Sequence, residues 1–358
     1  RVSQIFVEDV LRGEAAACPT VSLRPGWRMT AIRDNGDGVE VDAESGSGRV
    51  TLRASYAVAA DGGSSPTRKM LGINYAGETG AVRDFMGGRM FAIHFRAPKL
   101  YDVLPHPRAW MYWAINHERR AFMAAVNGRD EFTFHTQIGP DMRARDISDA
   151  QAIAMFHEGF AAPLDIEIIG RSSWNAGYTL VAEKFQQGRI LMGGDAVHLF
   201  TPTGGLGYNT AVEDAVNLGW KLAAVLKGWG GPALLKTYEI ERQMIARRNT
   251  TYARGFADSV GLFALPAEIE QDTPAGEAAR KVTGDHYNHH ARFEFNIPGI
   301  TFGGRYDGSP IIATDPFLPS SPILASICGR LSLSASRTTG TTRPLSVPTA
   351  TPTWQKFL

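Results

Sequence analysis

The chain has 358 residues, of which 44% are hydrophobic and 20% charged, as is ordinary for a globular protein with room for two domains. Its 37 basic and 36 acidic residues give a net charge of +1, which provides no electrostatic case for a nucleic-acid or membrane-surface partner. The two cysteines, Cys18 and Cys328, cannot form a disulfide framework. These features predict a cytoplasmic protein with a small-molecule partner and no stable membrane association.

The amino-terminal segment shows a helical pattern, with Ile5, Val7 and Val10 on one side and Gln4 and Glu8 on the other. No signal or transit peptide pattern is present there. A β-meander is predicted next, with strands at residues 29–32, 39–41 and 50–52 and a turn at 35–38.

Residues 56–73 predict a strand that ends in an acid, Asp61, followed by a Gly62 turn and a short helix. The acid at this position has two interpretations. Asp61 acts either in positioning a ligand or as a cap of the helix that follows.

Residues 78–184 form a strand-rich insert. Strands are predicted at 89–96, 110–115, 120–126, 132–137 and 165–174, with a helix at 149–160. Trp110, Tyr112 and Trp113 alternate across one strand, so Tyr112 or the Trp110 side is a candidate wall of an aromatic pocket. A core role is the more common one for such aromatic residues.

Residues 188–209 carry the most informative pattern. The apolar strand 190–192 and Gly193-Gly194 lead to Asp195, which emerges where open α/β sheets bind ligands. Pro202 stiffens the loop that follows, and its glycines leave backbone N–H groups uncovered. Asn209 or Thr210 is predicted to cap a helix over 211–226, whose amino terminus favours negative charge. A plain strand-to-helix turn is the alternative interpretation.

That helix is predicted to bury an apolar face at Val212, Ala215, Leu218, Leu222 and Val225. A second helix is predicted at 232–248, and its charged residues Glu239, Glu241 and Arg242 are interpreted as surface charges.

The histidines of the chain predict no metal site. His198 is a candidate proton shuttle or a structural histidine. His286, His289 and His290 have helical spacing but no matching cysteine or carboxylate set, so we interpret them as a solvated face. Residues 320–358 are rich in Ser, Thr and Pro and are predicted to be disordered.

Two ordered motifs resemble a known family. Gly194-Asp-Ala-Val-His198, Pro202-Thr-Gly-Gly-Leu-Gly-Tyr-Asn209 and Glu213-Asp-Ala-Val-Asn-Leu-Gly-Trp-Lys-Leu222 resemble the second flavin fingerprint of the single-component FAD-dependent aromatic hydroxylases, which include the p-hydroxybenzoate and phenol hydroxylases. Residues 56–73 resemble the Asp-Gly motif of the same family.

The resemblance implies a mixed α/β (α+β) fold: an incomplete Rossmann-like FAD-binding domain of the p-hydroxybenzoate hydroxylase type, with an inserted, mainly antiparallel β-sheet substrate domain. Residues 1–77 and 185–265 are then the two parts of the FAD-binding domain, and 78–184 are the substrate domain. A helical and loop region follows at 266–319, before the tail at 320–358.

One family element is not found. The strand, Gly-x-Gly-x-x-Gly turn and second-strand acid that open FAD proteins of this fold are absent from the sequence. The segment from Arg1 to Leu11 resembles the family's helix that follows that region. We therefore expect a fragment without its ADP-binding βαβ unit, and an inactive remnant that cannot hold FAD alone is an alternative.

The resemblance implies an NAD(P)H-dependent monooxygenase that hydroxylates a small phenolic substrate with FAD and O2 through a flavin C4a-hydroperoxide. An epoxidase or halogenase of the same fold is a further alternative, although residues 110–116 do not match the halogenase Trp-x-Trp-x-Ile-Pro element. The substrate, the choice between NADH and NADPH and the oligomeric state stay open, a homodimer being one option.

The resemblance also implies site residues. Asp195 binds the ribityl chain, Asn209 reaches the pyrimidine edge, and Pro202 lies near the site of oxygen attack. The catalytic residues are unknown, with Pro202, His198 and Tyr112 as candidates. The cofactor contacts that it implies are Gln4, Asp61, Gly62, Gly194, Asp195, Pro202, Gly204, Gly205, Leu206, Gly207, Tyr208 and Asn209, with Arg1 and Arg68 as additional candidates.

Overall fold

A computed structural model describes residues 2–80, 83–160 and 163–313. Its helices are α1 Gln4–Ala17, α2 Pro66–Met70, α3 Leu100–Val103, α4 Asp149–Phe160, α5 Leu206–Leu226, α6 Lys236–Gly261, α7 Pro274–Phe295 and α8 Pro298–Thr301. Its strands are β1 Arg28–Asp34, β2 Val39–Ser45, β3 Gly48–Ala54, β4 Ala57–Ala59, β5 Tyr75–Glu78, β6 Arg89–Arg96, β7 Met111–Ala114, β8 Ala121–Ala125, β9 Glu131–Gln137, β10 Glu167–Asn175, β11 Thr179–Ala182, β12 Gln186–Gln187, β13 Ile190–Met192 and β14 His198–Leu199. The tail predicted at 320–358 lies outside the described residues.

The largest sheet is antiparallel and five-stranded, in the order β10-β6-β9-β8-β7. One of its faces buries Phe91, Phe95, Phe132 and Phe134 against Phe156 of α4. Successive strand residues point to opposite faces, so the alternating apolar pattern of β6 and β9 produces this layer. The predicted antiparallel insert is therefore confirmed.

A smaller, three-stranded sheet contains a parallel pair of strands. β13 pairs in parallel with β4, with Leu191 opposite Val58, in the order β12-β13-β4. The predicted meander is confirmed as a separate antiparallel sheet, β1-β2-β3. Parallel and antiparallel sheets with packed helices confirm the mixed α/β fold class.

The structure corrects the helix that follows the glycine loop. α5 begins at Leu206 rather than at 211, and its amino-terminal cap is Gly205, whose φ of 65° is left-handed. Asn209 and Thr210 therefore lie inside the first turns and do not cap the helix. Thr210 instead donates its hydroxyl hydrogen bond to the carbonyl of Leu206.

The buried face of α5 also differs from the predicted one. Leu218 is buried as predicted, but Val212 and Ala215 are exposed. The buried side is largely polar, because α5 packs against α6 through charged side chains. The buried residues of α5 are Leu206, Thr210, Asp214, Asn217, Leu218, Lys221 and Ala224.

Candidate functional site

The two acid motifs meet at one sheet edge. Because β4 and β13 are parallel neighbours, Asp61 and Asp195 both follow the carboxyl ends of their strands. Tyr75 of β5 joins the two turns: its hydroxyl lies 2.6 Å from the carbonyl oxygen of Asp195 and 3.4 Å from that of Gly63. Tyr75 is not predicted from the sequence, since a tyrosine in a short strand belongs to no motif.

Asp61 and the N-cap residue Ser65 both accept hydrogen bonds from the first turn of the short helix α2. Asp61 Oδ2 accepts a hydrogen bond from the backbone N–H of Thr67 at 2.9 Å, and the Ser65 hydroxyl oxygen accepts one from the N–H of Arg68. Burial would raise the pKa of Asp61, but hydrogen bonds from Ser65 and Thr67 outweigh burial and lower it. These contacts match the capping interpretation, and Gly62 supplies the left-handed turn with φ 79°.

The additional candidates lie in different environments. Arg68 is buried, donates to the carbonyl of Ile73 at 2.9 Å and stacks 3.9 Å above the Tyr75 ring, which places it inside the turn scaffold. Gln4 is exposed on α1 and donates to Glu8 at 2.8 Å. Arg1 lies outside the described residues.

The Asp195 side chain is exposed at the end of β13. Beyond it, Gly204 and Gly205 adopt left-handed φ values of 64° and 65°, and α5 starts without a side-chain cap. Free N–H groups at a helix amino terminus favour an anionic or acceptor-rich ligand. An exposed carboxylate at the end of β13 and a helix amino terminus after the same loop suit a cofactor that carries both hydroxyl groups and negative charge.

The other loop residues are arranged around this terminus. Leu206 is buried in an apolar cluster with Phe256, whereas Pro202 and Tyr208 are exposed. A Cβ on Gly207 would lie 3.5 Å from the Phe200 ring. The Asn209 side-chain amide donates to the carbonyl of Gly205 at 2.6 Å, which holds it against its own turn.

A buried charge network supports the Asp195 turn from behind. Asp214 Oδ2 accepts the Gly194 N–H at 3.1 Å and lies 2.6 Å from His198 Nε2, while Oδ1 accepts from Arg242 Nε at 2.7 Å. Burial would raise the pKa of Asp214, but the His198 hydrogen bond and the Arg242 charge lower it. His198 is fully buried in this network, so its contacts are those of a structural histidine.

A second buried cluster joins the same two helices. Glu241 Oε2 lies 2.6 Å from Lys221 Nζ and accepts from the Asn217 amide at 2.7 Å, while its Oε1 accepts from Ser309 at 2.7 Å. The surface interpretation of Glu241 and Arg242 is therefore wrong, because both are 1% exposed.

Glu239 also has a structural contact. Its Oε2 accepts the backbone N–H groups of Phe185 at 2.6 Å and Gln186 at 3.1 Å. α6 thus holds the segment before β13 through Glu239. It also supports the turn after β13, because Arg242 pairs with Asp214, which binds the Gly194 N–H.

Trp113, rather than Tyr112, faces α7. Tyr112 packs against the core on the α4 side, and its hydroxyl accepts from the N–H of Ala109 and donates to the carbonyl of Pro107. Trp113 lies on the opposite face, with its ring 6.0 Å from Tyr287 and 5.8 Å from His290. Trp110 reaches α7 separately, through an edge contact with Phe295.

A cavity of about 400 Å³ lies between Trp113 and α7, and we call it the Trp113 cavity. Its lining residues are Trp113, Ile115, Ile269, Glu270, Arg280, Thr283, Gly284, Tyr287, His290, Ala291 and Phe295.

The histidines of α7 are not a uniformly solvated face. His289 is exposed, but His290 is only 2% exposed, and His286 lies 2.8 Å from the carbonyl of Ser259. No group of three or more potential metal ligands occurs among the described residues. Within the same ranges, no helix combines the length and the apolar character needed to cross a membrane.

Comparison with known proteins identifies the family. The model of the FAD binding domain matches residues 1–253. The 12-dehydrotetracycline 5-monooxygenase/anhydrotetracycline 6-monooxygenase of Streptomyces rimosus is 33% identical over 261 residues, which cover 70% of this chain and 50% of that protein. The chain thus spans half the length of that relative.

Solved structures agree with this match. The rebeccamycin biosynthetic enzyme RebC with reduced flavin is 31% identical, with a TM-score of 0.71 over 82% of this chain and 55% of that one. The flavin-dependent monooxygenase PieE, in complex with FAD and substrate, is 27% identical, with a TM-score of 0.73 over 87% of this chain and 57% of that one. Together with the two acid motifs, these matches show that the chain belongs to the FAD-binding domain family that includes the FAD-dependent aromatic hydroxylases.

Proposed function

We propose that the protein is an FAD-dependent monooxygenase that hydroxylates a phenolic aromatic substrate with NAD(P)H and O2. The observation that carries the proposal is the exposed Asp195 carboxylate at the carboxyl end of β13, on a turn that packs against α5, the helix that the glycine loop opens. Tyr75 and Asp214 hold this turn from two sides.

In this proposal each residue type has a definite task. The Asp195 carboxylate accepts hydrogen bonds from the ribityl hydroxyls, and the backbone N–H groups at Gly205 to Gly207 face the pyrimidine edge of the flavin. Bound FAD supplies the passage of two electrons from NAD(P)H to O2. A ring C–H bond becomes C–OH, NAD(P)H is oxidised to NAD(P)+, and the second oxygen atom leaves as water with the hydride equivalent from NAD(P)H and one proton from solvent.

The substrate class follows from the relatives and from the aromatic wall of the Trp113 cavity. One relative is named for the monooxygenation of 12-dehydrotetracycline and anhydrotetracycline, which are fused-ring phenols. Trp113 and Tyr287 offer ring faces and edges on which such a substrate can pack. We therefore propose a phenol or a fused-ring phenolic compound as the substrate.

The first test is FAD binding by the purified chain, followed by NAD(P)H oxidation with a panel of phenols under ¹⁸O2. We expect phenol-stimulated oxidation and one labelled oxygen atom in the product. Asp195→Ala should weaken FAD binding by about ten- to a hundredfold, since hydrogen bonds to a charged group are worth about 1.5–3 kcal/mol. Asp102→Ala, at an exposed site on α3, is the matched control and should bind FAD normally.

Two results would contradict the proposal. If the chain binds FAD but its NAD(P)H oxidation is indifferent to every phenol, aromatic hydroxylation is wrong. If the wild-type chain takes up no FAD at all, the inactive-remnant alternative holds for the chain by itself.

A further inference from the structure

The Trp113 cavity contains buried polar groups that lack partners. Thr283 is 5% exposed and His290 is 2% exposed, and both line the cavity. The Thr283 hydroxyl and both ring nitrogens of His290 have no partner with hydrogen-bond geometry among the described residues. An unmade hydrogen bond of a buried polar group costs about 1–3 kcal/mol, so native structures retain few of them.

The other polar side chains of the cavity have protein partners. Glu270 Oε1 accepts the backbone N–H of His117 at 2.7 Å. Arg280 donates to the carbonyls of Ile269 at 3.0 Å and Gln271 at 2.8 Å. The Tyr287 hydroxyl accepts a hydrogen bond from Arg120 at 2.5 Å. The Thr283 hydroxyl and His290 Nδ1 are thus lining groups without a close partner among the described residues, and the rings of Trp113 and Tyr287 line the cavity with them.

The side chain of Glu294 links His290 in the cavity wall to Gly204 in the loop before α5. His290 Nε2 lies 2.7 Å from Glu294 Oε2, a close contact without hydrogen-bond geometry. Glu294 Oε1 accepts the backbone N–H of Gly204 at 2.6 Å. One turn of α7 therefore separates the cavity wall from the loop at the start of α5.

We propose that the Trp113 cavity binds an aromatic ring bearing a hydroxyl group, and that Thr283 and His290 recognise that hydroxyl. The hydroxyl donates to one group and accepts from the other, while the aromatic lining accommodates the ring. The volume of about 400 Å³ falls within the range of small-molecule sites. The proposal rests on the proposed function in that the bound ring is the substrate, but its test needs neither FAD nor turnover.

The test compares 2-naphthol with naphthalene by equilibrium dialysis against the flavin-free chain. We expect 2-naphthol to bind at least about tenfold more tightly, the equivalent of one well-made hydrogen bond. Thr283→Val removes the hydroxyl at nearly constant volume, and His290→Phe keeps a ring without nitrogen. Each variant should lose most of the preference for 2-naphthol while its affinity for naphthalene changes less than about threefold.

His289→Phe is the matched control, because it makes the same substitution at the exposed neighbouring position of α7. Its preference should equal that of the wild-type chain. Equal binding of the two ligands to the wild-type chain, or no binding of either, would overturn the proposal even if both variants failed to fold. If the preference is present but phenols do not stimulate NAD(P)H oxidation, the cavity assignment stands and the proposed function fails.

Discussion

The Asp214 network and the Trp113 cavity both bury polar side chains, but they satisfy them differently. Both carboxylate oxygens of Asp214 have close partners, from Gly194, His198 and Arg242. Asp214 is therefore held in one geometry, although His198 Nδ1 in the same network has no hydrogen-bond partner among the described residues. In the cavity, the Thr283 hydroxyl and His290 Nδ1 are buried without a hydrogen-bond partner among the described residues, and only His290 Nε2 has a close contact, with Glu294 Oε2 at 2.7 Å. Unpaired groups that line a cavity leave capacity for a ligand. In the proposed function, the Asp195 turn is preformed for the cofactor, whereas a bound molecule completes the Trp113 cavity.

Loss of the buried ion pair between Asp214 and Arg242 should have the largest effect on the free energy of unfolding. Arg242→Met leaves the Asp214 carboxylate buried without its cation, and removal of one partner from such a pair costs about 3–5 kcal/mol. Urea unfolding measures this loss. Arg254→Met is the control on the same helix, since Arg254 is 39% exposed and pairs with Glu78 at the surface. Its cost should stay below about 1 kcal/mol. Equal losses of unfolding free energy in the two variants would contradict a larger contribution from the buried network.

The loop between the two regions depends on a glycine. Gly204 has φ 64°, and a Cβ there would lie 2.8 Å from the Phe256 ring. Gly204→Ala therefore adds backbone strain and a ring clash, for a loss of about 2–4 kcal/mol of unfolding free energy. Gly219→Ala, in open space within α5, should instead gain about 0.5–1 kcal/mol from helix propensity. Thermal unfolding of both variants gives the two signs, and a harmless Gly204→Ala would refute the required left-handed turn.

The burial of His135 among aromatic residues of the large sheet should make the free energy of unfolding depend on pH. His135 is stacked 4.5 Å from Phe122, which pairs with Trp113 across the strands, and burial lowers the His135 pKa from 6.5 to about 4. Between these pH values the unfolded chain binds a proton that the native chain does not. The unfolding free energy should therefore fall on acidification through this window, by about 2–3 kcal/mol from this residue.

Urea unfolding at pH 6.5 and pH 4 isolates the His135 contribution when the wild type is compared with His135→Gln. The variant should lose less stability on acidification, while His289→Gln, at an exposed position, should behave as the wild type. Identical losses in the wild type and in His135→Gln would mean that His135 is not held neutral by burial.

The sequence predicted those elements whose pattern is local. Strand β6 and helix α4 occupy the predicted residues 89–96 and 149–160, because period-two and helical spacing are legible within one segment. The glycine loop was recognised as the turn that opens a helix, but the start of that helix was predicted at 211 instead of Leu206, because the left-handed φ values of Gly204 and Gly205 are not written in the glycine pattern itself.

The rest depended on contacts between distant segments. Arg242 and Asp214 are 28 residues apart, so their burial follows from the packing of α6 on α5 and not from either helix alone. Similarly, alternation shows that Tyr112 and Trp113 face opposite ways, but only the position of α7 decides which of them lines a cavity. Charged residues are mostly exposed in folded proteins. This tendency fails to predict their burial where two helices pack against each other through ion pairs.

The smallest effect on the free energy of unfolding should come from loss of the Tyr75 hydroxyl, which links the turns that follow β4 and β13. Tyr75→Phe removes the hydroxyl that contacts the carbonyls of Asp195 and Gly63 but keeps the ring under Arg68. One net hydrogen bond is worth about 1 kcal/mol, so the loss of unfolding free energy should be about that size. Tyr178→Phe is the control, because the Tyr178 hydroxyl has only a 3.4 Å contact with Asn175. Since Tyr75 holds the backbone of the Asp195 turn rather than the cofactor, FAD affinity should fall only about threefold. A fall as large as that of Asp195→Ala would mean instead that Tyr75 contacts the cofactor itself.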